Sequence, residues 1–170
     1  MNVQAVAIAM LPEHLLLAGI VLLIALEIAA GKARFAMPLA LLAVAGACAA
    51  ALTLAAAGHS AAPFPGQLSV SPASLLAKAV VLALAVPVLL ISRDDFDGRP
   101  FHILVLSSLY GACVLLGADS FLTLSLGIEL LSLPVYVLVL LAFRQPQSAE
   151  AALKYPVSYT HLTLPTNREV

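Results

Sequence analysis

Tryptophan is absent from this chain, and charge is scarce: Asp, Glu, Lys and Arg together make up 10% of 170 residues. Soluble domains carry about 25%, so too few charges are present to cover a globular surface. A soluble enzyme and a disordered tail are both excluded. With eight Lys and Arg against nine Asp and Glu, the net charge is −1. No basic excess exists to hold phosphates, which excludes a nucleic-acid binder. The two cysteines, Cys48 and Cys113, cannot make a disulfide scaffold and form no metal-ligand pattern. The first ten residues contain no Lys or Arg. A cleaved signal peptide would need that charged leading region, so the first helix is expected to be retained.

What the chain has in abundance is apolar sequence: 62% hydrophobic residues and a mean hydropathy of +1.07. Five apolar runs come close to the ~20 residues that cross a bilayer, at about 12–30, 36–57, 74–92, 101–118 and 120–143. The runs are continuous rather than alternating, and too long for barrel strands. Backbone amides in hydrocarbon must be paired within their own segment, which leaves helices. An all-α integral membrane protein with about five spanning helices is expected. A sixth helix starts at about 148, capped by Ser148.

The links carry turn chemistry. Gly58 to Pro72, with Pro63, Pro65 and Gly66, reads as an irregular polar loop, and Gly117-Ala-Asp-Ser120 as a very tight connection. Lys32 and Arg34 fall in the first link, Arg93 and Arg99 in the third, and Arg144 follows the fifth run. The N-terminal tail and the second and fourth links have no Lys or Arg. This alternation predicts links one, three and five in the cytoplasm and the N-terminus outside. Lys78 dissents, and its long stem is expected to snorkel to the outer surface.

An ionised side chain at mid-bilayer costs ~2.5–3.5 kcal/mol on insertion scales and so marks a candidate functional site. Glu129 lies nine residues into the fifth run, ~14 Å deep at 1.5 Å per residue. Helical spacing places Ser125, Ser132 and Tyr136 on its face, at i−4, i+3 and i+7. Pro134 withdraws the amide that would pair with the Leu130 carbonyl, opening an acceptor beside the carboxylate, with a kink and water expected there. Together they read as a protonatable carboxyl on a polar path; a permanently neutral or lysine-paired structural Glu is the plainer alternative. Lys154, four residues after Glu150, fits either a surface ion pair or a second charge on that path. Glu27 is expected to be interfacial, paired with Lys32 or Arg34. Asp95-Phe-Asp-Gly98 matches only part of a calcium loop and lacks the later glutamate ligand.

The run Leu126-Gly-Ile-Glu-Leu-Leu-Ser-Leu-Pro-Val-Tyr-Val-Leu138, followed by Ala142-Phe-Arg-Gln145 and Ser148-Ala-Glu-Ala-Ala-Leu-Lys-Tyr155, closely resembles the N subunits of bacterial NADH–quinone oxidoreductase, respiratory complex I. The specific match covers residues 126–155. Leu115-Leu-Gly-Ala-Asp-Ser-Phe121 and the number and orientation of the helices also agree. The resemblance implies an antiporter-like subunit of about fourteen helices containing inverted repeats with broken helices, of which this chain would be the N-terminal part. It implies that Glu129 is the helix-five carboxylate of a proton-translocating unit, served by lysines on later helices, and that Lys154 begins helix six. The subunit itself would hold no cofactor. NADH, FMN, iron–sulfur clusters and quinone would be used by the whole complex, and the other membrane subunits would be its partners.

The expected activity is therefore coupling of NADH-to-quinone electron transfer to proton pumping across the bacterial inner membrane, within a translocase complex. A cation brought within ~4–6 Å of a carboxyl favours its ionised form, while desolvation favours the neutral one; a moving lysine would thus switch Glu129. The alternatives are a subunit of a multi-subunit sodium/proton antiporter or membrane-bound hydrogenase, and a non-catalytic assembly scaffold. After Tyr155 the resemblance stops: residues 156–170 are Thr-rich with two prolines, cannot span lipid, and read as a non-native, adaptor-derived tail on a fragment. Alone, lacking the later lysines, such a fragment is expected to be inactive.

Overall fold

A computed structural model describes residues 3–30, 35–92 and 100–142. Six helices and one small hairpin follow in the order α1 Val3–Ala9, α2 Leu11–Ala30, α3 Ala36–Ala56, β1 Ala61–Phe64, β2 Leu68–Val70, α4 Pro72–Ile91, α5 Pro100–Leu116 and α6 Phe121–Ala142. Four of them, α2, α3, α4 and α6, are long and apolar enough to cross a membrane, and α5 is an apolar helix of 17 residues, at the short end of the spanning range. The chain is a multi-pass membrane protein built on the five expected helices, each starting and ending within about two residues of the boundaries read from hydropathy. The expected start of a sixth helix at 148 and the tail 156–170 lie outside the described residues.

Two features depart from the sequence reading. A separate short helix, α1, not expected from hydropathy, precedes the first run, with a turn at Met10. The stretch between α3 and α4, expected to be irregular, contains an antiparallel β-hairpin. Polar and Pro-rich composition hides a three-to-four-residue strand, because pairing there is decided by the turn. Gly66, at φ 74°, supplies the left-handed residue of that turn, and Gln67 N donates to Phe64 O at 2.9 Å.

Local chemistry accounts for the ends of the helices that meet this hairpin. α3 stops in a Schellman arrangement: His59 N donates to Leu54 O and Gly58 N to Ala55 O, both at 3.0 Å, with Gly58 at φ 67°. α4 begins with a reciprocal cap, Ser74 N donating to Ser71 Oγ and Ser71 N to Ser74 Oγ, and Pro72 follows where its missing amide costs nothing. Thr123 N donates to Ser120 Oγ at 3.1 Å to open α6.

The hairpin then ties these ends together. Ser69 N donates to Gly117 O and Asp119 N to Gln67 O, each at 2.9 Å, so the α5–α6 link adds onto β2 as an edge. The Gln67 side-chain oxygen accepts from Ser120 Oγ at 2.5 Å and Thr123 Oγ1 at 3.1 Å. The end of α3, the start of α4, the end of α5 and the start of α6 therefore share one end of the bundle.

Below it, α2, α3, α4 and α5 enclose one apolar core, with Leu16 and Leu23, Ala43, Val44 and Ala47, Leu82 and Leu89, and Leu106 and Cys113 all buried. Small residues set the spacing, as expected where lipid gives no hydrophobic drive between helices. α6 packs against α5 and presents Phe121, Leu122, Leu126 and Leu133 outward.

Candidate functional site

Glu129 sits on α6 two residues after Gly127 and one before the segment of α6 that touches α5 most closely. A Cβ added at Gly127 would come within 2.9 Å of Leu115 Cα, and one at Gly111 would collide with the backbone of Leu130 and Leu131. The two glycines let the helix backbones meet, which turns Gly127, Leu130 and Leu131 toward α5. At 100° per residue Glu129 points away from that contact, and it is exposed.

Ser125 is exposed on the same face, whereas Ser132, Pro134 and Tyr136 are half-buried. Ser132 Oγ turns back on its own helix and donates to the Glu129 carbonyl at 3.4 Å. The polar stripe read from the sequence thus lies on the side of α6 away from α5. α6 runs on as a helix through Pro134 to Ala142. Next to the carbonyl that Pro134 leaves without its usual donor, Ser108 Oγ of α5 donates to Leu131 O at 3.1 Å, so a hydroxyl from the neighbouring helix supports the weakened turn.

Lys154 lies outside the described residues, as do Lys32 and Arg34, the expected partners of half-buried Glu27, and the partial calcium-loop match at 95–98. Among the described residues Lys78 is the one Lys or Arg, and it is engaged elsewhere. No group of three metal-ligating side chains occurs among the described residues.

Lys78 corrects the sequence reading. Rather than snorkelling to the surface, its ammonium is fully buried and donates to Glu13 Oε1 at 2.5 Å, with Glu13 buried as well. A buried pair of opposite charges replaces the hydration that snorkelling would have provided, and removing either partner would strand the other. Glu13 carries no local signal of this role in the sequence. The signal was present in the topology: α2 and α4 are separated by one antiparallel helix, so their first turns fall at the same end. Glu13 and Lys78 lie near those first turns.

Residues 118–162, covering α6 and its motif, match the family described as NADH:quinone oxidoreductase/Mrp antiporter, TM. A NADH-quinone oxidoreductase subunit N from Pelobacter propionicus is 31% identical over 151 residues, 86% of this chain and 32% of that protein. The chain is a relative of the NADH-quinone oxidoreductase N subunits. Those of Francisella tularensis subsp. holarctica and Granulibacter bethesdensis are 39% and 36% identical over 97 residues, in each case 54% of this chain and 20% of the relative. The chain thus spans about a fifth to a third of the length of these N subunits.

Proposed function

We propose that this chain forms part of a proton-translocating, antiporter-like membrane subunit of a NADH–quinone oxidoreductase, with Glu129 as its proton-exchanging group. The observation that carries the reading is the position of Glu129: a carboxylate eight residues into a spanning helix, exposed on the side of α6 away from α5. An ionisable group facing lipid alone would be costly. That face is therefore the one on which further helices of the full-length subunit would pack, bringing a basic partner. Ser125, Ser132 and Tyr136 would line the same path, and Lys154 would lie at one end of it.

Energy would reach the site mechanically. A cation approaching the carboxylate favours release of its proton, and withdrawal of the cation favours uptake. The electron-transfer chemistry would take place in other subunits, with NADH, FMN, iron–sulfur clusters and quinone bound there and none in this one. Those subunits, in the bacterial inner membrane, would be its partners. The alternation of Lys and Arg between links supports an N-terminus outside, with the hairpin on the same side.

Glu129→Gln in a full-length homologue, reconstituted as the assembled complex, tests the proposal. Proton pumping per NADH oxidised should fall strongly while the complex still assembles. Unchanged pumping removes Glu129 from the mechanism, and loss of assembly instead supports a scaffold role. The family description covers Mrp antiporters as well; neighbouring genes for further NADH–quinone oxidoreductase subunits would discriminate between the two.

A further inference from the structure

Hydroxyl side chains inside apolar helices commonly bond back to a carbonyl of their own helix. Thr53 does so to Ala50 O at 3.0 Å, Ser107 to Ile103 O at 2.8 Å and Ser132 to Glu129 O at 3.4 Å. Ser108 departs from this pattern. Its hydroxyl leaves α5 and donates to Leu131 O of α6 at 3.1 Å. The acceptor lies on the turn that Pro134 weakens, one residue beyond the carbonyl whose donor the proline removes.

The same turn meets Gly111, where an added Cβ would collide with the backbone of Leu130 and Leu131. A glycine contact fixes how near two helices lie, but it is smooth and constrains their rotation weakly. A hydrogen bond is directional and supplies the angle. Leu131 is two residues past Glu129, about 200° further around the axis at 3.6 residues per turn. Holding Leu131 against α5 therefore holds Glu129 on the opposite side.

We propose that Ser108 is a positioning residue for Glu129: its hydroxyl, bonded to the Leu131 carbonyl, sets the heading of the carboxylate about the α6 axis. The proposal rests on the proton-exchanging role given to Glu129 above. Gln67 anchors the opening turn of α6, and Ser108 is the polar anchor nearer to Glu129. At the ~5–6 Å radius of a helix with its side chains, a swivel of about 30° carries the carboxylate about 3 Å. A cation acts on a carboxyl over about 4–6 Å, so a displacement of that size spoils the encounter.

Two measurements test it. The first uses the full chain in lipid nanodiscs, with Cys48→Ala and Cys113→Ala, and nitroxides attached through Leu42→Cys on α3 and Ile128→Cys on α6, both exposed positions. Double electron–electron resonance reads the spread of distances between them. Ser108→Ala should raise the population away from the main distance about threefold, the factor carried by an average interhelical hydrogen bond in a membrane. Ser108→Thr should keep the narrow distribution. Ser107→Ala, which removes a hydroxyl serving its own helix, should keep it too. The second measurement uses the full-length subunit in the assembled complex and counts protons pumped per NADH oxidised. Ser108→Ala should lower that ratio, Ser108→Thr should preserve it, and adding Ser108→Ala to Glu129→Gln should change nothing further. A distribution that stays narrow in Ser108→Ala, equal broadening by Ser107→Ala, or a Ser108→Ala loss that persists beside Glu129→Gln would each overturn the proposal. Full pumping by Ser108→Ala, where Glu129→Gln pumps poorly, would overturn it and leave the role of Glu129 standing. Full pumping by Glu129→Gln would instead overturn that role, and the proposal with it.

Discussion

Glu13 and Lys78 illustrate how a single pair can hold two helices at a fixed height. Neither is tolerable alone in an apolar interior, and each makes the other acceptable. Lys78→Met should therefore destabilise the chain by about 3–5 kcal/mol, because a carboxylate is left buried and unpaired. Glu13→Leu/Lys78→Met should recover most of that loss. Denaturant unfolding in detergent, followed by circular dichroism, measures both; equal destabilisation of single and double variants would show that packing around the side chains matters more than their charge. Gly111 makes a different kind of demand. Any side chain there drives into the α6 backbone at Leu130 and Leu131, so Gly111→Leu should cost about 1–3 kcal/mol by overpacking and separate α5 from α6. A drop in melting temperature, together with loss of a disulfide engineered between the two helices, would register the separation.

At the scale of elements, the hairpin contributes more than its seven strand residues suggest. Gln67 joins β2 to the opening turn of α6 through two side-chain hydrogen bonds and one backbone bond. Gln67→Ala should fray that turn, giving faster amide hydrogen exchange at Leu122 to Leu124 while α3 and α4 remain protected; uniform exchange rates across the three helices would contradict the role assigned to Gln67. The hairpin was also the element least visible in the sequence. Long apolar runs announce spanning helices because the bilayer fixes their length, and the five helices were legible for that reason. Two short strands have no such constraint. Their pairing depends on a Gly66 turn and on the Gly117 carbonyl, about fifty residues downstream, which no local pattern reports.

For the whole molecule, the same contrast applies to two acids, exposed Glu129 and buried Glu13. Glu129 could be singled out because helix depth and stripe spacing are local quantities. Glu13 could not, because its partner lies 65 residues away and only the folded order of helices brings them together. The open face of α6 makes a further prediction. In the isolated chain in bilayers, a cysteine introduced by Glu129→Cys should react readily with a membrane-permeant maleimide, whereas Cys113, buried in the core, should not. Mass-spectrometric mapping of the adduct distinguishes them, and equal reactivity would mean that the bundle is open.

The strap formed by Gln67, Gly117 and Ser120 has a consequence for the proposed pumping cycle. It pins the leading turn of α6 to the same end of the bundle as α4, and the paired glycines clamp its middle, so α6 has little freedom to slide along the bilayer normal. Glu129 is thereby kept at one altitude in the membrane. In the cycle proposed above, the element that alternates would be the cation visiting the carboxylate, since the carboxylate itself would be moored.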